Sequence, residues 1–147
     1  MARKIFQFHV TDEGRDKGKL FLLTEMTASK GEAWATRALL ALAASNVNLP
    51  DGFASLGVAA LAELGIRALS GLKWEVAAPL LAEMFECVQI VPDPKKPHVY
   101  RELIEEDIEE IKTRMILRME VWKLNLGFLM AALPSLNGLV GKPAGKK

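Results

Sequence analysis

The sequence predicts a mainly α-helical α+β fold, in which an N-terminal antiparallel β-hairpin is followed by about four α-helices, the last one long. Half of the residues are hydrophobic, and Ala and Leu dominate them, which favours helices. Alternating hydrophobic residues near the N-terminus indicate strands, and hydrophobic residues at helical spacing fill the C-terminal part. We expect one domain over residues 1–135, with the hairpin at 4–26, the helices at 29–132, and a disordered tail rich in Gly and Lys at 136–147.

Two short runs near the N-terminus predict the hairpin. Residues 4–10 form the first strand, because Phe6, Phe8 and Val10 would share one face. Residues 19–26 form the second strand, after a polar loop that contains two glycines. Two strands alone are marginal in water, so the hairpin must pack on helices or join other strands.

Capping and composition predict the first two helices. Ser29 is followed three positions later by Glu32, which matches the capping box, so a helix is expected from there to about Ala44. The loop at 46–52 contains Pro-Asp-Gly, a turn signal. An Ala-rich second helix follows at Phe53–Ser70, weakened by two internal glycines.

The next segment predicts a third helix and a short second hairpin. The helix covers Lys73–Val88, and Pro79 within it implies either a true start near Ala78 or a kink. A turn rich in Pro and Lys comes next, which excludes helix and central strand. Its flanks, residues 88–91 and 98–101, could pair as a hairpin.

The final predicted helix, from about Glu102 to Ala132, carries the longest hydrophobic stripe in the chain. It would span about 45 Å at about 1.5 Å per residue, and we expect Pro134 to end it. Acidic residues at its start and basic residues later suit the helix dipole. The stripe comprises Ile104, Ile108, Ile111, Met115, Met119, Trp122, Leu126 and Leu129. A second row begins beside it after Met115 and comprises Leu117, Val121, Leu124 and Phe128.

The second half of this helix is the candidate binding surface. A helix that is hydrophobic over two rows is either buried or binds a partner. Methionine side chains suit an adaptable surface. The predicted partner-binding residues are Met115, Met119, Trp122, Leu126 and Leu129. The same residues could instead join copies into a homo-oligomer or form the core of the chain, and the sequence leaves these alternatives open.

No residue pattern indicates catalysis, a cofactor or a metal site. Cys87 is the only cysteine, so an intrachain disulfide is impossible, and its hydrophobic neighbours indicate a buried side chain. His9 and His98 are the only histidines, which is a poor ligand set, and His9 is expected at the surface. The carboxylates between 102 and 110 are expected to form a solvated helix start. The protein is therefore predicted not to be an enzyme.

Charge and hydropathy narrow the classes of partner. The formal net charge is +1, so nothing drives the chain toward nucleic acid or an anionic membrane. The most hydrophobic stretch, Phe53–Leu72, is interrupted by Glu63 and Arg67, which argues against a membrane span. A cytoplasmic location is expected. Core packing is expected for the three tryptophans, which fall on three different predicted helices: Trp34, Trp74 and Trp122.

Two segments carry a family resemblance. Residues 107–128, DIEEIKTRMILRMEVWKLNLGF, resemble the C-terminal helix of tail assembly chaperones from long-tailed, siphovirus-type bacteriophages. Members often show Asp-Ile-Glu-Glu-hydrophobic-x-Thr at its start and Leu-Arg-x-Glu-hydrophobic-x-Lys-Leu before a Gly/Asp-Phe close. Residues 26–34, MTASKGEAW, with RALLAL at 37–42, are also similar. The order of elements matches as well, and the resemblance covers about residues 4–132.

The resemblance implies a binding role. Such chaperones coat the hydrophobic, helical tape-measure protein in the host bacterial cytoplasm. They keep it soluble and help to recruit subunits of the major tail tube protein, and they are absent from the mature virion. Many also exist in a longer form made by ribosomal frameshifting near the end of the short one. The alternative is a structural virion protein, such as a tail-completion or tube-end subunit. The near-neutral charge disfavours a small DNA-binding regulator.

Overall fold

The computed structural model describes residues 3–45 and 66–140, and within these it describes side chains at 3–45 and 69–127. Its helices and strands alternate along the chain rather than falling into one block of each. In chain order they are β1 (Ile5–His9), β2 (Leu20–Thr24), α1 (Ala28–Ala44), α2 (Trp74–Met84), β3 (Val88–Val91), β4 (Arg101–Glu102) and α3 (Ile111–Val140). Three 3-10 turns lie between them, at Ile66–Gly71, Phe85–Cys87 and Glu105–Asp107.

The strands form one antiparallel sheet in the order β1-β2-β3-β4. The N-terminal hairpin is confirmed, with Ile5 opposite Thr24 and His9 opposite Leu20. The second hairpin also forms, with Ile90 opposite Arg101, but its second strand is Arg101–Glu102 rather than the expected 98–101. The link between the two hairpins is the pairing of β2 with β3, and it gives the marginal first hairpin the extra strands that it needs.

The predicted fold class is wrong in two respects. The predicted class named only the N-terminal hairpin, whereas both hairpins join in one four-stranded sheet, and the described residues contain three α-helices rather than four. β3 and β4 have four and two residues, too few for an alternating pattern to stand out against the neighbouring helices. Most of the predicted second helix, residues 53–65, lies outside the described residues, and the part from Ile66 to Gly71 is a 3-10 turn.

Helix boundaries also differ from the prediction. α1 ends at Ala44 as expected and begins at Ala28, one residue before the predicted cap. α2 begins at Trp74 with Pro79 inside it, so the alternative start near Ala78 is wrong. It ends before β3, since the hydrophobic residues after Met84 serve the sheet instead.

The long helix begins later and ends later than predicted. The segment 102–110 holds β4, a 3-10 turn and extended residues, and α3 begins only at Ile111. Ile104 and Ile108 match helical spacing with α3, yet both have extended backbone. Pro134 does not end the helix, which continues to Val140. A helix can continue through a proline, which removes one backbone hydrogen bond, when the remaining turns keep theirs.

The chain divides into two compact units. The first comprises the residues up to Thr27 together with Leu81–Asn125, and it contains the whole sheet and the start of α3. The second comprises the described residues of Ala28–Leu80 and those from Leu126 onward. Its hydrophobic centre includes the buried side chains Trp34, Ala35, Ala38 and Leu42 of α1, and the Trp34 indole N–H donates to the carbonyl of Leu80 at 2.9 Å.

In the first unit, α3 lies along one face of the sheet. Every hydrophobic residue of β2 is buried, and so are Leu117 and Val121 of α3. The backbone N–H of Met26, just after β2, donates to Asn125 Oδ1 at 2.8 Å. Asn125 Nδ2 also lies 3.8 Å from the Sγ of Cys87, just before β3. These contacts fix one side of α3 against the two central strands and leave its other side available.

Candidate partner-binding surface

A buried aspartate from the loop between β1 and β2 holds the segment that leads into α3. The Asp16 side chain is fully buried, and its Oδ1 and Oδ2 each accept a backbone N–H at 3.0 Å, from Glu109 and Glu110 respectively. Lys19 Nζ donates to Oδ1 at 2.9 Å. This is a cap supplied across the fold, since the donors lie just before the first turn of α3. Gly14, with a φ of +146°, permits the loop conformation.

The electrostatics of this cap favour the ionised carboxylate. Burial by itself would raise the pKa of Asp16, but the hydrogen bonds from Lys19 and from the backbone N–H groups of Glu109 and Glu110 outweigh it and lower the pKa to about 2. The cap is therefore charged at neutral pH. A negative charge at this position also interacts favourably with the positive end of the α3 dipole.

A second ion pair fixes the turn before α3. Arg101 of β4 donates two hydrogen bonds to the carboxylate of Asp107, at 2.8 and 2.9 Å. Asp107 Oδ2 also accepts the N–H of Ile104 at 2.7 Å, and Lys19 Nζ donates to the Asp107 carbonyl at 2.8 Å. The hydrogen bonds from Arg101 lower the pKa of Asp107 against the opposing effect of burial.

The prediction of a helix start in this acidic segment is wrong, because α3 begins only at Ile111 and its first turn contains no acidic residue. Most of the carboxylates are nevertheless exposed as expected, at Glu102, Glu105, Glu106 and Glu109. Asp107 is the exception, since it is buried and paired and holds the turn. Sequence spacing gave no signal for these contacts, because Asp16 is 93 residues from Glu109 and no helical or strand period relates Arg101 to Asp107.

With its start held by Asp16 and Asp107, α3 presents two different hydrophobic rows. The buried row faces the sheet and comprises Thr113, Leu117 and Val121, all nearly inaccessible. The other row, called the methionine row below, is exposed and comprises Ile111, Met115 and Met119. Each row follows the four-residue spacing of one helix face. Met115 is 59% exposed and Met119 is 47% exposed, which is unusual for side chains of this size and polarity.

The structure separates the five predicted binding residues into two groups. Met115 and Met119 are exposed as a binding role requires, whereas Trp122 and Leu126 are buried, Trp122 with 7% of its surface accessible. Leu129 lies on α3, and its side chain is outside the described ones. Ile111 is the residue that the predicted set omitted, although it belongs to the same stripe. The predicted surface is thus shorter than expected and begins one turn earlier.

Trp122 shows why the sequence misplaced this limit. At about 100° per residue, Trp122 lies only about 20° around the helix from Ile111, within the arc of the methionine row. It is nevertheless buried, so burial changes along α3 as well as around it. Helical spacing gives the position of a residue around the helix axis. It does not show where along the helix another part of the chain begins to pack on that face.

Two arginines lie beside the methionine row. The guanidinium groups of Arg114 and Arg118 sit 4.2 and 4.6 Å from the centre of the Phe85 ring. Burial, with a smaller effect from the charge of Arg114, lowers the pKa of Arg118. Cation–π contact with Phe85 offsets part of the repulsion between the two like charges. The row therefore has a positively charged border on this side.

An open cavity adjoins Arg114 at the start of α3. It has a volume of about 330 Å³, and its hydrophobic lining includes Phe85, Val88 and Ile108, with Arg114 at one side. Ile104 also lines it and is exposed. Its lining also contains the carboxylates of Glu86, Glu102 and Glu105, so hydrophobic and charged groups both border the space.

The cysteine, the two histidines and the three tryptophans differ in how far they are buried. Cys87 is buried as expected, and His9 and His98 are exposed. Trp34 and Trp122 are core residues, whereas core packing for Trp74 is wrong, because it stands exposed at the first position of α2. A tryptophan in the first turn has few helix neighbours on one side, and its spacing alone does not show this.

Within 3–45 and 66–140 there is no cluster of three or more His, Cys, Asp or Glu side chains suited to a metal ion. None of the helices in these ranges combines the length and hydrophobicity needed to cross a membrane.

Comparisons with known proteins add no family to these observations. No family model matches the chain, and no curated protein or solved structure matches it.

Proposed function

We propose that this protein is a binding protein that covers hydrophobic helix surface on another protein, as a tail assembly chaperone does with the tape-measure protein. The exposed methionine row carries the proposal. Ile111, Met115 and Met119 form a continuous hydrophobic surface on a helix whose opposite side is fixed against the sheet. Flexible methionines adapt to partners of varied sequence, which a chaperone of a long repetitive helix needs.

The fitting partner is an amphipathic helix. Three residues at four-residue spacing extend about 12 Å along α3, which matches two turns of a partner helix packed beside it. The neighbouring cavity under Ile104 and Ile108 can take one further hydrophobic side chain. Arg114 and Arg118 favour a partner that carries acidic residues along one border of its hydrophobic stripe. The buried Trp122 and Leu126 are not part of this proposed surface.

The proposed role has further parts that follow the family resemblance. The bound tape-measure protein would stay soluble in the host bacterial cytoplasm until subunits of the major tail tube protein polymerise around it. The chaperone would then be released and be absent from the mature virion. These parts rest on the similarity of residues 107–128, and the methionine row supports only the binding step.

Co-expression with the tape-measure protein of the same phage tests the binding step. The wild-type chain should raise the soluble fraction of that protein and co-purify with it. The double variant Met115→Lys/Met119→Lys should fold but lose both effects. Leu40→Lys is the matched control, because Leu40 is an equally exposed hydrophobic residue on a different helix, α1. Equal solubilisation by all three proteins would refute the assignment to the methionine row.

Purified particles test the alternative of a structural virion protein. Mass spectrometry of assembled virions should not detect this chain if it acts only during assembly. A stoichiometric amount in the particle would show that it is a tail component, and the chaperone proposal would then be dropped.

A further inference from the structure

Among the residues that the structure describes, no strand pairs with the outer edge of β1. The strand order places β1 at one end and β4 at the other. β1 is five residues long, and its side chains are mostly exposed, including Ile5 at 59% and Phe6 at 41%. A strand in this position presents a row of N–H and C=O groups that can pair with another chain.

The hydrogen bonds to β2 identify which backbone groups of β1 face outward. Val10 donates its N–H to the carbonyl of Lys19 at 3.0 Å, and the carbonyl of Lys4 accepts the N–H of Glu25 at 2.9 Å. Backbone groups alternate between the two sides of a strand, so the even-numbered residues face β2. The residues whose N–H and C=O groups point away from β2 are therefore Ile5, Gln7 and His9.

The two edges of the sheet differ in how they are protected. β4 is only two residues long, both charged, and it follows a turn with three prolines, at 92, 94 and 97. Shortness, charge and proline all discourage further strand pairing. β1 contains no proline, lysine or acidic residue between Ile5 and His9. Only β1 therefore retains an edge open to another strand among the described residues.

We propose that β1 pairs antiparallel with β1 of a second copy, about a two-fold axis through Gln7. In this register Gln7 lies opposite Gln7 of the other copy, and Ile5 lies opposite His9. All three outward-facing residues then pair, which gives about six backbone hydrogen bonds across the axis. A centre at Ile5 or His9 would leave outward groups at the far end of the strand unpaired. The two sheets would merge into one of eight strands.

The side chains of β1 suit this register. Phe6 and Phe8 share the face of the sheet that carries Phe21 and Leu23. Across the two-fold axis, each Phe6 lies opposite a Phe8, so four phenylalanines become adjacent. Aromatic cross-strand pairs stabilise a sheet, and the two glutamine amides at the axis can bond to each other. Lys4 falls opposite Val10, so no like charges oppose each other.

Unfilled space lies on the same face. Phe8 and Val10 line a cavity of about 210 Å³ together with Thr113 and Ile116 of α3. The Phe6 of a second copy would come to lie beside Phe8 at the rim of this cavity. Pairing would therefore bury the exposed Phe6 and narrow the opening of this cavity. A partner strand without an aromatic residue at this position would make fewer van der Waals contacts there.

The proposed pairing of β1 involves the sheet edge and not the methionine row, so it is independent of the proposed chaperone function. Cysteine cross-linking of the full-length chain tests the register. In Gln7→Cys the two thiols meet at the axis with Cα atoms about 5.5 Å apart, within disulfide range. In Ile5→Cys the two thiols would be about 14 Å apart, so this variant is the matched control. Cys87 is buried, and the wild-type chain reports any background from it.

The expected result is an oxidised dimer for Gln7→Cys and none for Ile5→Cys, with the double variant Ile5→Cys/His9→Cys cross-linking again. Light scattering on the wild-type chain should give about 32 kDa, twice 16.2 kDa. Gln7→Pro should give a folded monomer, because the N–H that it removes points away from β2. A wild-type chain that stays monomeric at all concentrations overturns the proposal. The proposal is also overturned if Gln7→Pro remains a dimer and Gln7→Cys forms no cross-link, because the copies would then associate through another surface.

Discussion

The two hydrophobic rows of α3 resemble each other in sequence and differ in environment. The buried row, with Leu117 and Val121, is inaccessible, whereas Met115 and Met119 of the methionine row are about half exposed. Both follow the four-residue spacing of a helix face, so periodicity detects each equally well. The contacts made by Asp16 and Asn125 decide which row meets the sheet. A hydrophobic stripe thus predicts a helix well and predicts its buried side poorly.

The largest expected effect is on the free energy of unfolding, when a side chain of each row is shortened to alanine. Leu117→Ala should lower the free energy of unfolding by about 2–5 kcal/mol, because it leaves a cavity in a fully buried site. Met119→Ala should change it by less than about 0.5 kcal/mol, since that side chain lies half in solvent. Denaturant unfolding followed by circular dichroism measures both values.

The slope of unfolding against denaturant is the control for this pair. An unchanged slope in Leu117→Ala would show that native and unfolded states expose the same surface as before. If Met119→Ala destabilised the chain as much as Leu117→Ala, the methionine row would be core. The proposed binding surface would then have no exposed residues to support it.

The sequence predicted the elements made of local patterns and failed where distant residues decide. The hairpin of β1 and β2 follows from alternation and a glycine-containing loop, and α1 follows from its Ala- and Leu-rich composition, although it begins before the predicted cap Ser29. The start of α3 was misplaced because Ile104 and Ile108 keep helical spacing by coincidence. No local pattern connects Asp16 to Glu109, although they are hydrogen-bonded.

The binding surface was predicted in part for the same reason. The hydrophobic stripe correctly selected Met115 and Met119, whose exposure now makes them the centre of the proposed surface. It also selected Trp122 and Leu126, which are buried. Residue type contained a usable hint. Methionine suits an exposed, adaptable surface, whereas tryptophan more often fills a core position.

An intermediate effect is expected from the cap that fixes the rotation of α3. Asp16→Asn keeps the size of the side chain but removes its charge, so the bond from Lys19 weakens and one of the two backbone N–H groups loses its ideal acceptor. We expect the free energy of unfolding to fall by about 1–3 kcal/mol, the range for a charged hydrogen bond lost in a buried site. Lys17→Gln is the control, since Lys17 pairs only with the exposed Glu13.

The same cap predicts a pH dependence. The pKa of Asp16 is lowered from 3.8 to about 2 in the folded chain, so its stabilising effect is complete above the unfolded value of 3.8. The effect is lost as the pH falls from about 4 to about 2, where the folded carboxylate takes up a proton. Unfolding measured over this window should show a shallower decline for Asp16→Asn than for the wild type. Parallel declines would mean that folding does not lower the pKa of Asp16.

The smallest effect comes from Gly127, which tests how far the burial of α3 extends beyond the methionine row. A Cβ at Gly127 would meet no atom within 4 Å, so Gly127→Ala should raise the free energy of unfolding by about 0.5–1 kcal/mol through helix propensity. Gly14→Ala is the contrasting variant, because its φ of +146° and the side chain of Glu110 both oppose a Cβ. Destabilisation by Gly127→Ala would instead mean that α3 is covered on the side of Gly127, as it is at Trp122 and Leu126. In that case the exposed hydrophobic surface of the helix would end at Met119, and any partner helix would have to bind within the first three turns.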